Sequence, residues 1–246
     1  MYGLIGKKLG HSFSADFFNN KFKTEKSEEC YRLFPLETIS QLPQLLKNNP
    51  ELKGLNVTIP YKEQVIPYLD AVSEEIEKIG AVNVIKITRN NDKIFLKGYN
   101  TDIYGFRMSL LPLLTNEIKK ALILGTGGAS KAVEYVLFSL GIEFIKISRK
   151  PKDDNLIYSD LNQKIIKDHQ LIINTTPLGM FPDIDVCPDI PYQYLDNNHI
   201  CFDLVYNPEE TLFLKKAKEN GAVTKNGLEM LHLQALAAWE IWKSTI

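Results

Sequence analysis

Four short stretches of this 246-residue chain gather the residue types of proton-transfer chemistry. "GLNVTIPYKE", residues 54–63, carries Asn56, Thr58 and Lys62 behind a strand-like apolar run. "GYNTDIYGF" carries Asn100, Thr101 and Asp102, "GAVNV" carries Asn83, and "GHSFS" carries Ser12 and Ser14. The inventory is hydroxyls, carboxamides, one cation and one carboxylate, which suits a small polyhydroxylated carboxylic acid. A serine pair holds a carboxylate without a full positive charge, and a Lys–Asp pair can pass a proton near a carbonyl oxygen. Singly, each has a plainer use. Ser12 and Ser14 can cap a helix, Thr101 or Asp102 can cap another, and Asn83 can fill a turn. Their convergence at strand ends favours a site.

A second signal is "GTGGAS", residues 125–130. Gly125 and Gly127 match the first two glycines of a dinucleotide fingerprint, and Ser130 stands where the third small residue belongs. The chemistry needs a tight turn out of a strand, a backbone that can approach a pyrophosphate, and the free N–H groups of a helix start. Here the turn follows the apolar run "ALILG" and opens an amphipathic segment, which is the required context. The next strand ends in "SRKPK": Ser148, Arg149, Lys150 and Lys152 precede the first carboxylate, Asp153. An enzyme that selects NAD places a carboxylate there for the ribose 2′-hydroxyl, whereas an arginine fork holds a 2′-phosphate. The cofactor expected is NADP(H) rather than NAD.

These residues need elements to hold them. Before residue 101, "YGLIG", "YRLFPL", "LNVTI", "VNVIKIT" and "IFLKGYN" read as strands, with helical periodicity in "SADFFNNKFK", "TISQLPQLLKN" and "SEEIEKIG". Asn90 and Asn91 suit a hairpin tip. "TDIYGFRMSLLPLL" reads as a helix, and from Lys120 the order strand, helix ending at Gly141, strand defines a βαβ unit. "QLIINTT", "HICFDLVY" and "GAVTKN" add strands. The final "LEMLHLQALAAWEIW" is apolar almost all round, so it is expected to be buried, with Trp239 and Trp242 in a core. The fold class expected is α/β, with a boundary near residue 101.

Composition excludes other classes. Net charge is −1, so nucleic acid is not an expected partner. The three cysteines are far apart, and the four histidines lack metal-ligand spacing, so neither a disulfide framework nor a metal is expected. No apolar run reaches the length of a membrane span, and the N-terminal one is too short for a signal peptide, which points to the cytoplasm.

The chain resembles the shikimate dehydrogenase family. "HSFSADFFNNKF", "GLNVTIPYKE", "GAVN", "GYNTDIYGF", "LGTGGASKA", "NTTPLGM", "DLVYNPEET" and "NGLEMLHLQALAAW" follow in the family's order and cover essentially the whole chain. The resemblance implies NADPH-dependent reduction of 3-dehydroshikimate to shikimate, in the pathway to the aromatic amino acids. It implies two domains: an α/β substrate-binding domain, residues 1–101, with a largely parallel sheet completed by the C-terminal helix 226–246, and a Rossmann-like, doubly wound NADP-binding domain, residues 102–225, with the active site in the cleft between them. By position, it implies that Lys62 and Asp102 are the catalytic pair. Ser12 and Ser14, with Tyr206, would hold the substrate carboxylate, and Thr58, Asn83, Asp102 and Gln234 the ring hydroxyls. Gly125, Thr126, Gly127, Gly128 and Ala129 would cradle the pyrophosphate, and Ser148, Arg149, Lys150 and Lys152 would face the 2′-phosphate. Asn174, Thr175, Leu204 and Gly227 would lie near the nicotinamide.

Some positions depart from the family's letters. Ala15 stands where proline is common, Val84 where threonine is, and "SRK" replaces Asn–Arg–Thr while keeping the arginine; the chain is also short for the family. Gln234 has a plain alternative, a core hydrogen bond to backbone. Two other readings compete: a quinate/shikimate dehydrogenase using NAD, which the basic stretch opposes, and a non-catalytic sensor or interaction protein, which would not need Lys62 and Asp102. A monomer and a homodimer both fit the sequence.

Overall fold

The computed structural model describes residues 1–10, 12–90, 93–151 and 155–244. These form two compact units, residues 1–101 with 235–246 and residues 102–234.

The first unit runs β1 (Tyr2–Gly6), α1 (Phe13–Thr24), β2 (Tyr31–Pro35), α2 (Leu42–Asn48), β3 (Gly54–Val57), α3 (Tyr61–Gln64), β4 (Ala71–Val72), α4 (Glu74–Ile79), β5 (Val84–Asn90) and β6 (Lys93–Tyr99). Its sheet has the order β2-β1-β3-β5-β6-β4. β1 pairs in parallel with β2 and β3, but β5 runs antiparallel to both β3 and β6. Three of the five strand pairs are parallel, so the sheet is parallel-rich as expected, with β5 as its antiparallel strand. A long crossover is needed for parallel neighbours, and the few residues between β5 and β6 allow only a reversal. Asn90 is the last residue of β5, paired with Lys93, while Asn91 lies outside the described residues. β1 and β3 are buried along their full lengths, and Asn56, the one polar residue within β3, is hydrogen-bonded.

One face of this sheet carries an aromatic cluster of Tyr2, Phe18, Phe22, Tyr31, Trp239 and Trp242. Tyr2 stacks on Trp242 at 4.8 Å between centroids and Phe18 on Tyr31 at 4.9 Å. Rings of this size each remove roughly 150–250 Å² from water, so this cluster dominates that face. Gly54 makes it possible, because a Cβ there would lie 2.3 Å from Trp242 Nε1. Trp242 then donates to the Ile85 carbonyl at 3.1 Å. The buried Lys86 ends the chain's last helix by donating to the carbonyls of Ile241 (3.0 Å) and Ser244 and to Ser244 Oγ (2.9 Å).

The second unit runs α5 (Asp102–Leu110), β7 (Lys120–Leu124), α6 (Gly128–Ser139), β8 (Glu143–Ser148), β9 (Leu156–Ile157), α7 (Gln163–Asp168), β10 (Leu171–Asn174), β11 (Ile200–Asp203), α8 (Leu212–Glu219), β12 (Val223–Lys225) and α9 (Leu228–Lys243), whose last turns belong to the first unit. The sheet order is β12-β11-β10-β7-β8-β9, and every neighbouring pair is parallel. In order of appearance this is 3-2-1-4-5-6, the doubly wound dinucleotide-binding arrangement, with its switch point between β7 and β10. α6 ends as its sequence predicts. Gly141 takes φ +69°, Ile142 N donates to Leu137 O at 3.0 Å and Gly141 N to Phe138 O at 3.1 Å.

α9 departs from its expected burial. Met230, Gln234, Ala235, Ala238, Trp239 and Trp242 form one buried stripe, but Leu236 on the other side is 44% exposed. Apolar composition alone did not reveal that only one face packs. Among the described residues no helix is long and apolar enough to cross a membrane, and no group of three or more His, Cys, Asp or Glu could hold a metal ion.

Candidate active site

In the first unit the predicted polar residues converge on one edge of the sheet. Ser12 and Ser14 follow β1, Thr58 and Lys62 follow β3, Asn83 precedes β5, and Thr101 follows β6. Because β5 is antiparallel to its neighbours, its beginning lies at the same edge as the ends of β3 and β6. Ser12 occupies the N-cap position of α1, yet its hydroxyl makes no cap hydrogen bond, so capping does not account for it. Ser14 lies in the first turn, with its hydroxyl against the phenol oxygen of Tyr31.

Lys62 is placed by its neighbours. It sits on the single turn α3, one residue beyond the strand-to-helix bend, rather than on the strand itself. Tyr61 is buried and donates its hydroxyl to the Leu36 carbonyl at 2.5 Å. The Lys62 carbonyl accepts from Val82 N at 2.7 Å, and the Thr58 carbonyl accepts from Tyr61 N at 2.9 Å. With its backbone fixed on both sides, the half-buried lysine projects from a rigid turn.

Behind these residues lies a relay that the sequence did not reveal. Tyr31 donates to Asn56 Oδ1 at 2.6 Å, and Asn56 Nδ2 donates to the Asn83 carbonyl at 3.3 Å. Asn83 Oδ1 accepts from Thr101 N at 2.7 Å, and its Nδ2 donates to Thr101 Oγ1 at 3.1 Å. Burial holds the Tyr31 phenol well above its ordinary pKa, with the Ser14 hydroxyl acting against that shift, so the phenol stays protonated and can donate. Tyr31 lies on a strand in an ordinary apolar run, and only the tertiary fold puts its hydroxyl beside Ser14 and Asn56.

In the second unit, Asp102 opens α5 and is buried. Gly105, one turn on, lets α5 cross α9 closely, since a Cβ there would lie 2.5 Å from the Met230 carbonyl and 3.1 Å from Gln234 Cβ. Gln234 thus sits beside the first turn of α5, and its Nε2 donates to Leu231 O at 3.0 Å. Tyr206 is half-buried, and burial raises its phenol pKa, which keeps it a donor at neutral pH.

The glycine turn has the geometry its sequence demands. Gly125 takes φ +113°, and a Cβ would meet Thr175 Oγ1 at 2.7 Å. At Gly127, the N-cap of α6, a Cβ would meet nothing within 4 Å. Open space over a helix start with no side-chain cap leaves backbone N–H groups for an anion, so residues 125–129 fit a dinucleotide pyrophosphate. Ser130 is buried against the turn, donating to Gly127 O at 2.7 Å. Arg149 and Lys150 are exposed just past β8. The Ser148 hydroxyl instead closes that turn by donating to the Lys150 carbonyl, and Lys152 lies outside the described residues.

At the switch point Thr175 donates to the Leu124 carbonyl at 2.8 Å and so lies against the glycine turn. A Cβ on Gly227 would lie 2.1 Å from the Leu204 carbonyl, so glycine is required there. Asn174, expected near the nicotinamide, is engaged within the protein. Its carboxamide is wholly buried, donating to Asp203 Oδ1 at 3.0 Å and accepting from Thr176 N at 3.0 Å and Thr176 Oγ1 at 2.6 Å. Those bonds tie the end of β10 to β11 and to the turn that follows it.

This constellation has known counterparts. A sequence profile described as the shikimate dehydrogenase substrate binding domain matches residues 4–85. The shikimate dehydrogenase (NADP(+)) of Clostridium beijerinckii is 42% identical over 255 residues, covering 98% of this chain and 91% of that protein. The chain belongs to the shikimate dehydrogenase family. Among solved members, shikimate dehydrogenase 1 from Peptoclostridium difficile is 38% identical, with a TM-score of 0.84 over 100% of this chain and 92% of that one. Shikimate 5-dehydrogenase from Thermus thermophilus, solved in complex with NADP(H) and shikimate, is 29% identical with a TM-score of 0.84 over 100% of this chain and 94% of that one.

Proposed function

We propose that this protein is an NADP-dependent shikimate dehydrogenase, reducing 3-dehydroshikimate to shikimate and running reversibly, in the cytoplasmic route to aromatic amino acids. The observation that carries the reading is Lys62, fixed on its turn at the same sheet edge as Ser12, Ser14, Thr58 and Asn83. Residues 1–101 with the C-terminal helix take the substrate and the following unit takes NADP(H). The substrate would be a small carboxylic acid carrying ring hydroxyls, matching hydroxyl and amide donors with one ammonium group.

The bound cofactor supplies a hydride to the substrate's carbonyl carbon. Lys62 donates a proton to the carbonyl oxygen as it becomes an alkoxide, and its charge stabilises that oxygen as the bond forms. Asp102, assigned by the family resemblance, accepts from a ring hydroxyl and completes the catalytic pair. Ser12, Ser14 and Tyr206 hold the carboxylate, while Thr58, Asn83 and Gln234 hold hydroxyls. Residues 125–129 and Thr175 take the dinucleotide, and Arg149 with Lys150 and Lys152 selects the 2′-phosphate.

The test is reduction of NADP by shikimate, followed by absorbance of the reduced nicotinamide, with NAD and quinate in parallel. Fast reduction of NADP by shikimate and slow reduction of NAD are expected. Equal rates with NAD would overturn the role of Arg149, and a preference for quinate would overturn the substrate assignment. No reduction of either cofactor by folded protein would overturn the dehydrogenase reading.

A further inference from the structure

β10 and β11 end side by side at Asn174 and Asp203, which are direct partners across the parallel pair. Both are wholly buried. Asp203 Oδ1 accepts from Asn174 Nδ2 and from Val205 N, each at 3.0 Å, and Oδ2 accepts from Thr211 Oγ1 at 2.6 Å. Three segments are tied to this one carboxylate. Asn174 carries the bonds onward to the turn at Thr176, with its Nδ2 also 3.4 Å from the Leu178 carbonyl. Val205 presents its carbonyl to Gly227 N at 3.1 Å, and Leu204 lies directly against Gly227. Thr211 is the N-cap of α8 and accepts from Leu214 N at 3.4 Å.

We propose that Asp203 is a positioning residue for the nicotinamide end of the cofactor site, its ionised carboxylate setting the backbone at Thr175, Leu204 and Gly227. The proposal rests on the NADP reading above. Asn174 acts in the same network, as a link from Asp203 to the turn after β10, and not as a contact to the cofactor. A buried carboxylate without three donors would be costly, and three donors without the carboxylate would be orphaned, so each fixes the other.

Protonation should loosen this arrangement. Burial pushes the Asp203 carboxyl up to about 6, against the pull of its three hydrogen bonds. The titratable groups that feel its charge are Cys201, two residues back on β11, and Tyr192; burial raises both, so both stay neutral near pH 7. No lysine or arginine is among the influences on Asp203 in the described residues. A protonated carboxyl has a hydrogen to donate, but Asn174 Nδ2 and Val205 N only donate. The Thr211 hydroxyl would have to reverse. The signs of two effects then differ. The folded pKa lies above the ordinary 3.8, so this group's contribution to stability rises as pH falls through about 6 towards 4. Cofactor affinity falls over the same range.

The experiment is calorimetric titration of the whole protein with NADP⁺ and with 2′-phospho-ADP-ribose, which keeps the pyrophosphate and the 2′-phosphate and lacks only the nicotinamide. The 2′-phosphate of both ligands itself titrates near about pH 6, so the ratio of the two affinities removes that effect. The ratio should fall about fivefold between about pH 7.5 and about pH 5 as Asp203 takes up its proton. Asp203→Asn should lower the ratio by a similar factor at the higher pH and flatten the profile. Thr211→Ser should behave as the native protein and Thr211→Val should not. A flat ratio in the native protein overturns the proposal, whether or not Asp203→Asn folds, and so does a folded Asp203→Asn with the native ratio and profile. If neither ligand binds, the NADP reading itself fails and the proposal falls with it.

Discussion

The two sheets prepare an edge for a ligand by different means. In the first unit the edge is made of side chains. Ser14, Asn83 and Thr101 are held through Tyr31 and Asn56, and Lys62 rises from a turn pinned by Tyr61. In the second unit the edge by the glycine turn is made of backbone. Gly125 holds φ +113° and Gly127 leaves space for a ligand to reach the helix start. A polyhydroxylated substrate must be recognised group by group, which takes many directed donors and acceptors. A pyrophosphate is a compact anion, which a row of N–H groups and a helix dipole can hold without side chains. The first edge is therefore damaged by removing atoms and the second by adding them.

That contrast can be broken experimentally. The largest effect is expected at Lys62. Lys62→Ala should lower turnover on the order of a hundredfold or more, because the developing alkoxide loses its proton donor and its counter-charge. Its affinity for NADP⁺ should stay native; near-normal turnover would remove Lys62 from the reaction. Next comes Gly125→Ala, which adds a single methyl. A Cβ at φ +113° and 2.7 Å from Thr175 Oγ1 must distort the turn. NADP⁺ should bind roughly tenfold more weakly, and stability should drop by about 1–3 kcal/mol. If binding survives, the backbone cradle is not what holds the dinucleotide. The smallest effect on activity is expected at Gly54, far from either ligand edge in its contacts. Gly54→Ala would displace Trp242, already 2.3 Å from an added Cβ, and cost about 1–3 kcal/mol in urea unfolding. Turnover at saturating substrate should hardly change, which separates packing from chemistry in the first unit.

Much of the second unit could be read directly from the chain. "ALILG", the glycine turn and "EFIKIS" are one βαβ unit with local signals, and the structure has β7, α6 and β8 where those signals fall. The helix α7 and the short strand β9 were less legible because each is brief, and α8 is short too, although its buried Phe213, Leu214 and Ala217 fall on one helical face. In the first unit the strands were legible, and the hairpin signal implied the reversal between β5 and β6, but the direction of β5 against β3 was not legible. β3 and β5 are joined through α3, β4 and α4, a connection long enough for either direction, and an apolar run has no arrow. The burial of α9 was overread for a related reason: Leu236 and Ala235 look alike in composition, and only packing distinguishes the exposed face from the buried one.

The sequence by itself determined the chemistry available: one lysine and one aspartate among hydroxyls and amides, a glycine turn after an apolar strand, and an arginine where NAD-selecting proteins place a carboxylate. Local patterns suffice for these because each depends on residue type and short spacing. Tertiary structure alone decided which polar groups support others. Tyr31 reaches Asn56 across 25 positions, Asn174 reaches Asp203 across 29, and Lys86 reaches Ser244 across 158. A hydrogen bond is satisfied by proximity in space, and a buried donor or acceptor must find its partner wherever the fold brings one. That is why the bonds of Asn174 to Asp203 and to the turn beside it could not be read from its motif.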